Sequence, residues 1–534
     1  MINIPKIPRV AEEQRSGLVA QLLEICHRLR ELVQLQRDEI ARLKGEKGKP
    51  EIKASRLEGS GAKREGEGSD KARGKRPGST KRRKTAELKI HEVKVVKARG
   101  VPAGSRFKGY EDFTVQDLVI RAHNTRYRRE RWQSHSGECL MGELPAEIGG
   151  KHFGWTLVAF ILEQYYHAHV TQPLLLEELW ELGIDISAGQ LNRILTEGRD
   201  DFHAEKDEIL RAGLEVSRYI HVDDTGARHQ GRNGYCTHIG NELFAWFEST
   251  PSKSRINFLE LLRHQHTDYV LGEDALAYMR AQKLAKTVIE KLAVHEHECF
   301  ANERQWRELL TSLNISSEWH VRIATEGALL GSVVAHGAHS DLVIISDDAG
   351  QFNILSHALC WIHAERTINK LCGFGQAHRE ALRQARTAIW EFYEQLKAYK
   401  RRPDAQDKTR LDKRFDAIFT AKTCYIGLDL ALRRLYRNKA ELLLVLEQPE
   451  IPLHNNLSES DIREYVKKRK ISGSTRSDLG RRCRDTFTSL KKTCRKLGVS
   501  FWGYLNDRIR GQQAIAPLAV LIGQRVHEPA FGPH

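Results

Sequence analysis

Residues 219–250 read YIHVDDTGARHQGRNGYCTHIGNELFAWFEST, and no other stretch limits the fold as tightly. Tyr219, Ile220 and Val222 lead into an acidic pair, Asp223-Asp224. Gly231-Arg232-Asn233-Gly234 is one turn signal and Gly240-Asn241-Glu242 is a second. Residues 235–239 and 243–247 are rich in aromatic and β-favouring side chains. The pattern predicts three short strands joined by tight turns. A carboxylate ending the first strand, backed by a hairpin, would be held rigidly at a sheet edge, which suits a metal ligand better than a loop does.

The chain has 534 residues, too many for one ordinary core, so several domains are expected. Lysine plus arginine exceeds aspartate plus glutamate by 85 − 70, a net charge of +15. Such an excess points to a polyanionic partner, usually nucleic acid, although a merely basic protein has the same total. The nine cysteines are scattered without a CxxC pair, which reads as reduced thiols in a cytoplasmic protein. No apolar run resembles a signal peptide or a membrane span.

In the first region, residues 1–45, Leu18, Leu22, Ile25, Leu29 and Leu32 step by four and three along an expected helix. That is the seam of a short coiled coil, or of one amphipathic helix packed on its own protein. Residues 46–90 are poor in apolar side chains and rich in Lys, Arg, Gly, Ser and Glu, as a disordered basic linker would be. Such an arm either tracks phosphates or serves as a solvated tether. Residues 91–210 are expected to hold a strand or two near 91–101, a basic run with Tyr127 and Trp132, an apolar helix within 153–169, and a helix-turn-helix spacing. Pro173 opens the first helix of that pair, Gly183 ends it and Ser187 caps the second. If the pair reads DNA, Gln190, Asn192 and Arg193 approach the major groove; a plain helical hairpin is the alternative.

Beyond the opening strands, residues 254–338 read as mostly helical. His295 and His297 stand two apart, so a helix would point them to different faces, and a solvated helix or helix end is expected there. Residues 342–345 form a buried-type strand that ends at a second acidic pair, Asp347-Asp348. Residues 364–445 look helical and basic. A loop at 451–456 then leads into a helix whose first turn contains Glu459, with Asn456 or Ser458 as its cap. Asp223, Asp347 and Glu459 are separated by 124 and 112 residues, and each sits at the start or end of an element. Hard oxygen ligands of this kind suit Mg²⁺ or Mn²⁺. Spacing alone leaves the set open, because aspartates at strand ends and glutamates in first helical turns are common.

Four motifs occur in order: Val222-Asp223-Asp224-Thr225-Gly226; Ser346-Asp347-Asp348-Ala349-Gly350-Gln351-Phe352; Cys360-Trp361-Ile362-His363 with Arg366; and Asn455-Asn456-Leu457-Ser458-Glu459 followed by a basic tract through Arg469 and Arg476. In this order they resemble the DDE transposases of bacterial insertion sequences, in particular the large transposase subunit of the family numbered sixty-six. The resemblance spans about residues 150–510. It implies an α/β (α+β) chain with an RNase H-like mixed-sheet core over 211–510, a helical insertion at 260–338 and a C-terminal tail at 511–534. It further implies that Asp223, Asp347 and Glu459 are catalytic and bind two Mg²⁺ (or Mn²⁺) ions. Asp224, Asp348, Cys360, His363, Arg366 and Asn456 become supporting residues, and Arg469 and Arg476 become DNA contacts. The activity implied is metal-dependent hydrolysis at transposon ends, then transesterification into target DNA, without a covalent enzyme intermediate. The implied partners are double-stranded DNA, further copies of the chain and small accessory proteins of the same element, in the bacterial cytoplasm at the nucleoid. The chain departs from the family pattern at His454, usually Asp, and at Ser460, usually Arg; the family's cysteine-pair zinc module is not visible, and the first two aspartates stand further apart than usual. Two other functions remain open: a DNA-binding descendant without catalysis, and a nuclease on the same fold.

Overall fold

The computed structural model describes residues 90–525, apart from 101, 103, 146, 147, 149, 150 and 340. The expected coiled coil and the basic linker up to residue 89 lie outside the described residues. The chain divides into two units, Met1–Phe113 and Thr114–His534. The described part of the first is irregular, with neither helix nor strand, so the strands expected near 91–101 do not form there. The side chains of Val93, Val95 and Val96 are exposed, so no apolar face is available to hold such a strand in a sheet.

The second unit opens with a small exposed hairpin, β1 (Arg131–Gln133) against β2 (Cys139–Met141). Its centre is a five-stranded mixed sheet. The predicted triplet forms β3 (Tyr219–Gly226), β4 (Tyr235–Gly240) and β5 (Ala245–Thr250), an antiparallel meander. Gly234 is required in the first turn, because a Cβ there would lie 2.8 Å from the Ala227 carbonyl oxygen and 3.0 Å from that of Thr250. Between β5 and the next core strand come five helices (Arg255–Leu262, Glu273–Ala281, Lys286–Ala293, Glu303–Ser312 and Glu318–Ala335) and a two-residue pairing of β6 (Tyr269–Val270) with β7 (Cys299–Phe300). Then β8 (Val343–Ser346) joins β3 in parallel, and β9 (Ser356–Leu359) joins β8 in parallel. The order is β5-β4-β3-β8-β9, so the strand carrying Asp223 is central rather than at the sheet edge expected from sequence. The difference arises because β8, over a hundred residues away, pairs with the free side of the meander.

Period-two alternation gives the sheet two packed faces. Ile220, Val222 and Ile344 enter one core, shared with Ile209, Phe258, Met279 and Leu329, so the segment between β5 and β8 packs into the main core. Val343 and Ile345 enter a second core with Trp361, Phe392, Phe415 and Leu432, built from helices that follow β9. The free edge of β5 is covered by the helix Asp478–Lys496. Asp485, Ser489 and Thr493 stand four apart on one helix face and accept hydrogen bonds from the backbone N–H groups of Ser249 (2.8 Å), Phe247 (2.9 Å) and Ala245 (3.1 Å). The edge donors that would invite another strand are thereby satisfied.

The two predicted helices at 171–195 form as Gln172–Glu181 and Ala188–Thr196. Gly183 adopts φ 78° between them. Ser187 and Gln190 close a reciprocal capping box on the second helix. Near the C-terminus, residues 518–525 form a helix with Leu518 and Ile522 fully buried. No helix among the described residues is long and apolar enough to cross a membrane.

Candidate active site

The 124-residue separation of Asp223 and Asp347 is also the register of the parallel pair β3–β8. Tyr219 stands opposite Val343, Ile220 opposite Ile344 and His221 opposite Ile345. Two further residues along each strand lead to Asp223 and Asp347. By alternation both belong to the face of Val343 and Ile345, where the post-β9 helices lie. The neighbouring Asp347 raises the Asp223 pKa, second only to burial; together they push it up to about 7.

Glu459 comes from the first turn of the helix Asn456–Ser472, and the preceding residue places it. Asn455 is completely buried. Its side-chain amide donates to the Val222 carbonyl (2.7 Å), its side-chain oxygen lies 2.9 Å from His221 Nδ1, and its backbone N–H points to Cys360 Sγ at 3.1 Å. One residue thus ties the helix start to β3, next to Asp223, and to the end of β9. One turn on, Ser458 Oγ meets His238 Nδ1 at 2.7 Å, and His238 Nε2 lies 3.2 Å from Asp461. Asp461 also receives Lys492 and Lys496, each at 2.8 Å. Burial raises its carboxyl, but the His238 contact first, and then Lys496 and Lys492, outweigh burial and hold it far below the usual range.

The helix Trp361–Asn369 supplies the other contacts to Glu459. Arg366 Nη1 donates to Glu459 Oε1 (2.9 Å) and to His363 Nε2 (3.1 Å), and His363 Nε2 is 3.4 Å from Glu459. Burial lowers the His363 pKa against the pull of Asp347 and Glu459. Cys360 is buried against Asn455, so Cys360 and His363 serve separate contacts. Asp224 accepts from Gln351 Nε2 at 2.7 Å, and burial raises its pKa. Asp348 instead engages Arg434 and Asn438 on the far side of its loop. Asn456 is exposed.

The structure therefore gathers Asp223, Asp347, Glu459, His363 and Arg366 in one electrostatic neighbourhood, with Asp224 beside it. The three carboxylates are more open than a closed ligand cage: among the described residues, the group with ligand atoms all within 4.8 Å is His266, Asp268 and His336. Three hard oxygen donors, one with its charge opposed by its neighbours, fit divalent cations such as Mg²⁺ or Mn²⁺. The DNA candidates are dispersed. Asn192 and Arg193 are exposed, whereas Gln190 is spent on its helix cap. Arg469 donates to Thr225 Oγ1 (3.1 Å) and to the Gly226 carbonyl beside the acidic strand end. Arg476 is exposed on a loop that pairs with the β3–β4 turn, through Thr475 and His229.

Residue identity alone did not single out Asn455, His221, His238 or Asp461. The available signal was the alternate polar pair His221 and Asp223 on β3, with His238 opposite Asp223 on β4, facing a polar first turn of a helix.

A family profile described as Transposase IS66 family matches residues 336–482, which contain Asp347, Cys360, His363, Arg366 and Glu459. The chain belongs to this family. It is also 46% identical over 320 residues to a Sinorhizobium fredii (strain NBRC 101917 / NGR234) protein named "Uncharacterized protein y4jO", covering 59% of this chain and all of that relative. Membership of a transposase family carries transposition and DNA binding as the coarse function. Asp223 lies outside the profile match and is tied to the matched segment by the β3–β8 pairing.

Proposed function

We propose that the chain is a DDE transposase that cleaves DNA at insertion-sequence ends and joins the freed ends to target DNA, with Asp223, Asp347 and Glu459 as its catalytic carboxylates. The observation that carries this reading is the β3–β8 register, which leads both aspartates to one sheet end beside the latched Glu459 helix. The strand order, with an antiparallel meander followed by two parallel strands, supports an RNase H-like core over 211–510. The segment at 260–338 is its helical insertion.

Asp223 and Asp347 offer carboxylate oxygens from rigid strand ends, and Glu459 offers a third from a helix. Bound Mg²⁺ or Mn²⁺ would activate the attacking oxygen and stabilise the leaving oxygen of a phosphodiester. Asn455 fixes the height of Glu459 relative to Asp223. His363 and Arg366 orient Glu459, and Arg366 supplies positive charge next to a scissile phosphate. Hydrolysis breaks a P–O bond and leaves a 3′-hydroxyl. Strand transfer then uses that hydroxyl to displace a target 3′-oxygen, so neither step needs a protein nucleophile. Arg469, Arg476, Asn192 and Arg193 are the proposed DNA contacts, with a homo-oligomer to hold two ends and accessory proteins of the element as further partners.

The deciding experiment follows labelled element-end DNA with Mg²⁺ or Mn²⁺ beside Asp223→Ala, Asp347→Ala and Glu459→Ala, with DNA binding measured separately. The proposal expects wild type to cleave and join, and each variant to bind without reacting. Four proteins that behave alike would reject the triad and favour a non-catalytic DNA binder. Cleavage without joining would make the chain a nuclease.

A further inference from the structure

The group gathered more tightly than the acidic triad lies elsewhere, in the segment between β5 and β8. His266 and Asp268 flank the entry to β6, Cys299 opens β7, and His336 caps the helix Glu318–Ala335. His336 Nε2 is 2.9 Å from Asp268 Oδ2, and Cys299 Sγ is 3.4 Å from the same oxygen. The imidazole rings of His266 and His336 lie parallel, 3.4 Å apart at an interplanar angle of 6°. Two rings this close repel if both are protonated, whereas the neutral imidazole is the form that ligates a metal.

We propose that His266, Asp268, His336 and Cys299 form a zinc site that pins three separate chain segments together. The donor set is two imidazoles and a carboxylate with ligand atoms within 4.8 Å of one another, and a thiol that touches the carboxylate and would close on the ion as the fourth donor. Nitrogen and sulfur donors select zinc-like ions over Mg²⁺ or Mn²⁺, so this site and the acidic triad differ in the metal they take. The surroundings are those of a supported ligand set. Ser332 Oγ donates to Asp268 Oδ1 at 2.8 Å and leaves Oδ2 toward His336 and Cys299. Arg263 donates to the Asp268 carbonyl (2.8 Å) and fixes the loop. Val270 pairs with Cys299, so β6 and β7 hold Asp268 and the thiol side by side. The helix bearing His336 sits directly on β6: a Cβ on Gly331 would lie 2.2 Å from the Val270 carbonyl oxygen. His295 and His297, the pair conspicuous in the sequence, take no part; His295 contacts Glu298 at 3.1 Å.

The test uses the full chain, stripped of metal, titrated calorimetrically with zinc in excess Mg²⁺, then loaded with Co²⁺ for absorption spectroscopy. To silence the acidic triad, the same titration is run in an Asp223→Asn, Asp347→Asn, Glu459→Gln background. One zinc per chain is expected in both backgrounds, with affinity weakened at least about tenfold by Asp268→Asn, His336→Gln or Cys299→Ser. The cobalt form should show tetrahedral bands and a thiolate charge-transfer band that Cys299→Ser removes. Cys299 is exposed, so its serine variant reports on ligation even where the histidine or aspartate variants fail to fold. Absence of zinc binding by wild type, or affinity unchanged in Cys299→Ser with no thiolate band in wild type, would overturn the site.

Discussion

At the scale of single residues, the acidic end of β3 is where folding and chemistry oppose each other. Burial and Asp347 push the Asp223 carboxyl up to about 7. In the unfolded chain it ionises near its ordinary value, so the metal-free fold binds the extra proton. The stability contributed by that protonated form is complete below about pH 4 and is lost as pH rises through about 7. Asp223→Asn should therefore stabilise the metal-free protein at pH 8 by about 1–2 kcal/mol, with the gain vanishing near pH 4. Added Mg²⁺ should raise the melting temperature of wild type more than that of the variant. Denaturant melts at the two pH values, with and without Mg²⁺, check both; equal pH profiles would reject the assignment. This strain was half legible in the sequence. Two acidic pairs at strand ends are visible in a string of letters, and so is their separation of 124 residues. That the number is also a strand register depends on which strand pairs with which, and this is decided by the non-local burial of Val343, Ile344 and Ile345.

The element that delivers Glu459 shows why caps and latches matter more than propensity here. The sequence pointed to Asn456 or Ser458 as the helix cap, but Asn455 fixes the helix start, through the Val222 carbonyl and His221. Asn455→Ala strips partners from two buried polar groups, a loss of about 1–3 kcal/mol. A shifted Glu459 should also slow end cleavage by roughly 100-fold, while Asn456→Ala, at an exposed position, should leave stability nearly unchanged. Thermal melts and single-turnover cleavage of the two variants separate these roles. Further along the helix, Asp461 holds Lys492 and Lys496, with Asp461 and Lys492 buried and Lys496 half-buried. Asp461→Asn would leave those ammonium groups unpaired and should cost about 3–5 kcal/mol, read from chemical denaturation. Neither latch could be named from the sequence. A run such as Asp485, Ser489, Lys492, Thr493 and Lys496 has the composition of a solvated helix, yet Asp485, Ser489 and Thr493 are buried as acceptors for the edge of β5, and Lys492 and Lys496 turn to Asp461. The meander itself was legible, since its turns and aromatic strands are local signals; its central place in the sheet was not.

For the whole molecule the controlling quantity is charge. The chain carries 85 basic against 70 acidic side chains, and the described cations divide into two populations. Lys206, Lys468, Lys491 and Lys492 are buried, and the half-buried Lys496 is held by Asp461, so these cations cannot meet a phosphate without breaking internal contacts. Arg193 and Arg476 are exposed, on the second helix of the capped pair and on the loop near the acidic strand end. Net charge therefore overstates the DNA-binding surface, and the slope of affinity against salt measures its true size. Each phosphate contact removed should lower that slope by about 1. Arg193→Ala and Arg476→Ala should each do so while leaving the melting temperature unchanged. Arg469→Ala should lower stability as well, because that guanidinium also holds the Thr225–Gly226 end of β3. Gln190→Ala should weaken its helix by about 1 kcal/mol through the lost capping box, with the salt slope unaltered. Binding isotherms of the four variants on element-end duplex at several salt concentrations, paired with melts, decide the matter. If Arg193→Ala leaves the slope at the wild-type value, the capped helix pair is a structural hairpin and the DNA path runs over the Arg476 loop alone.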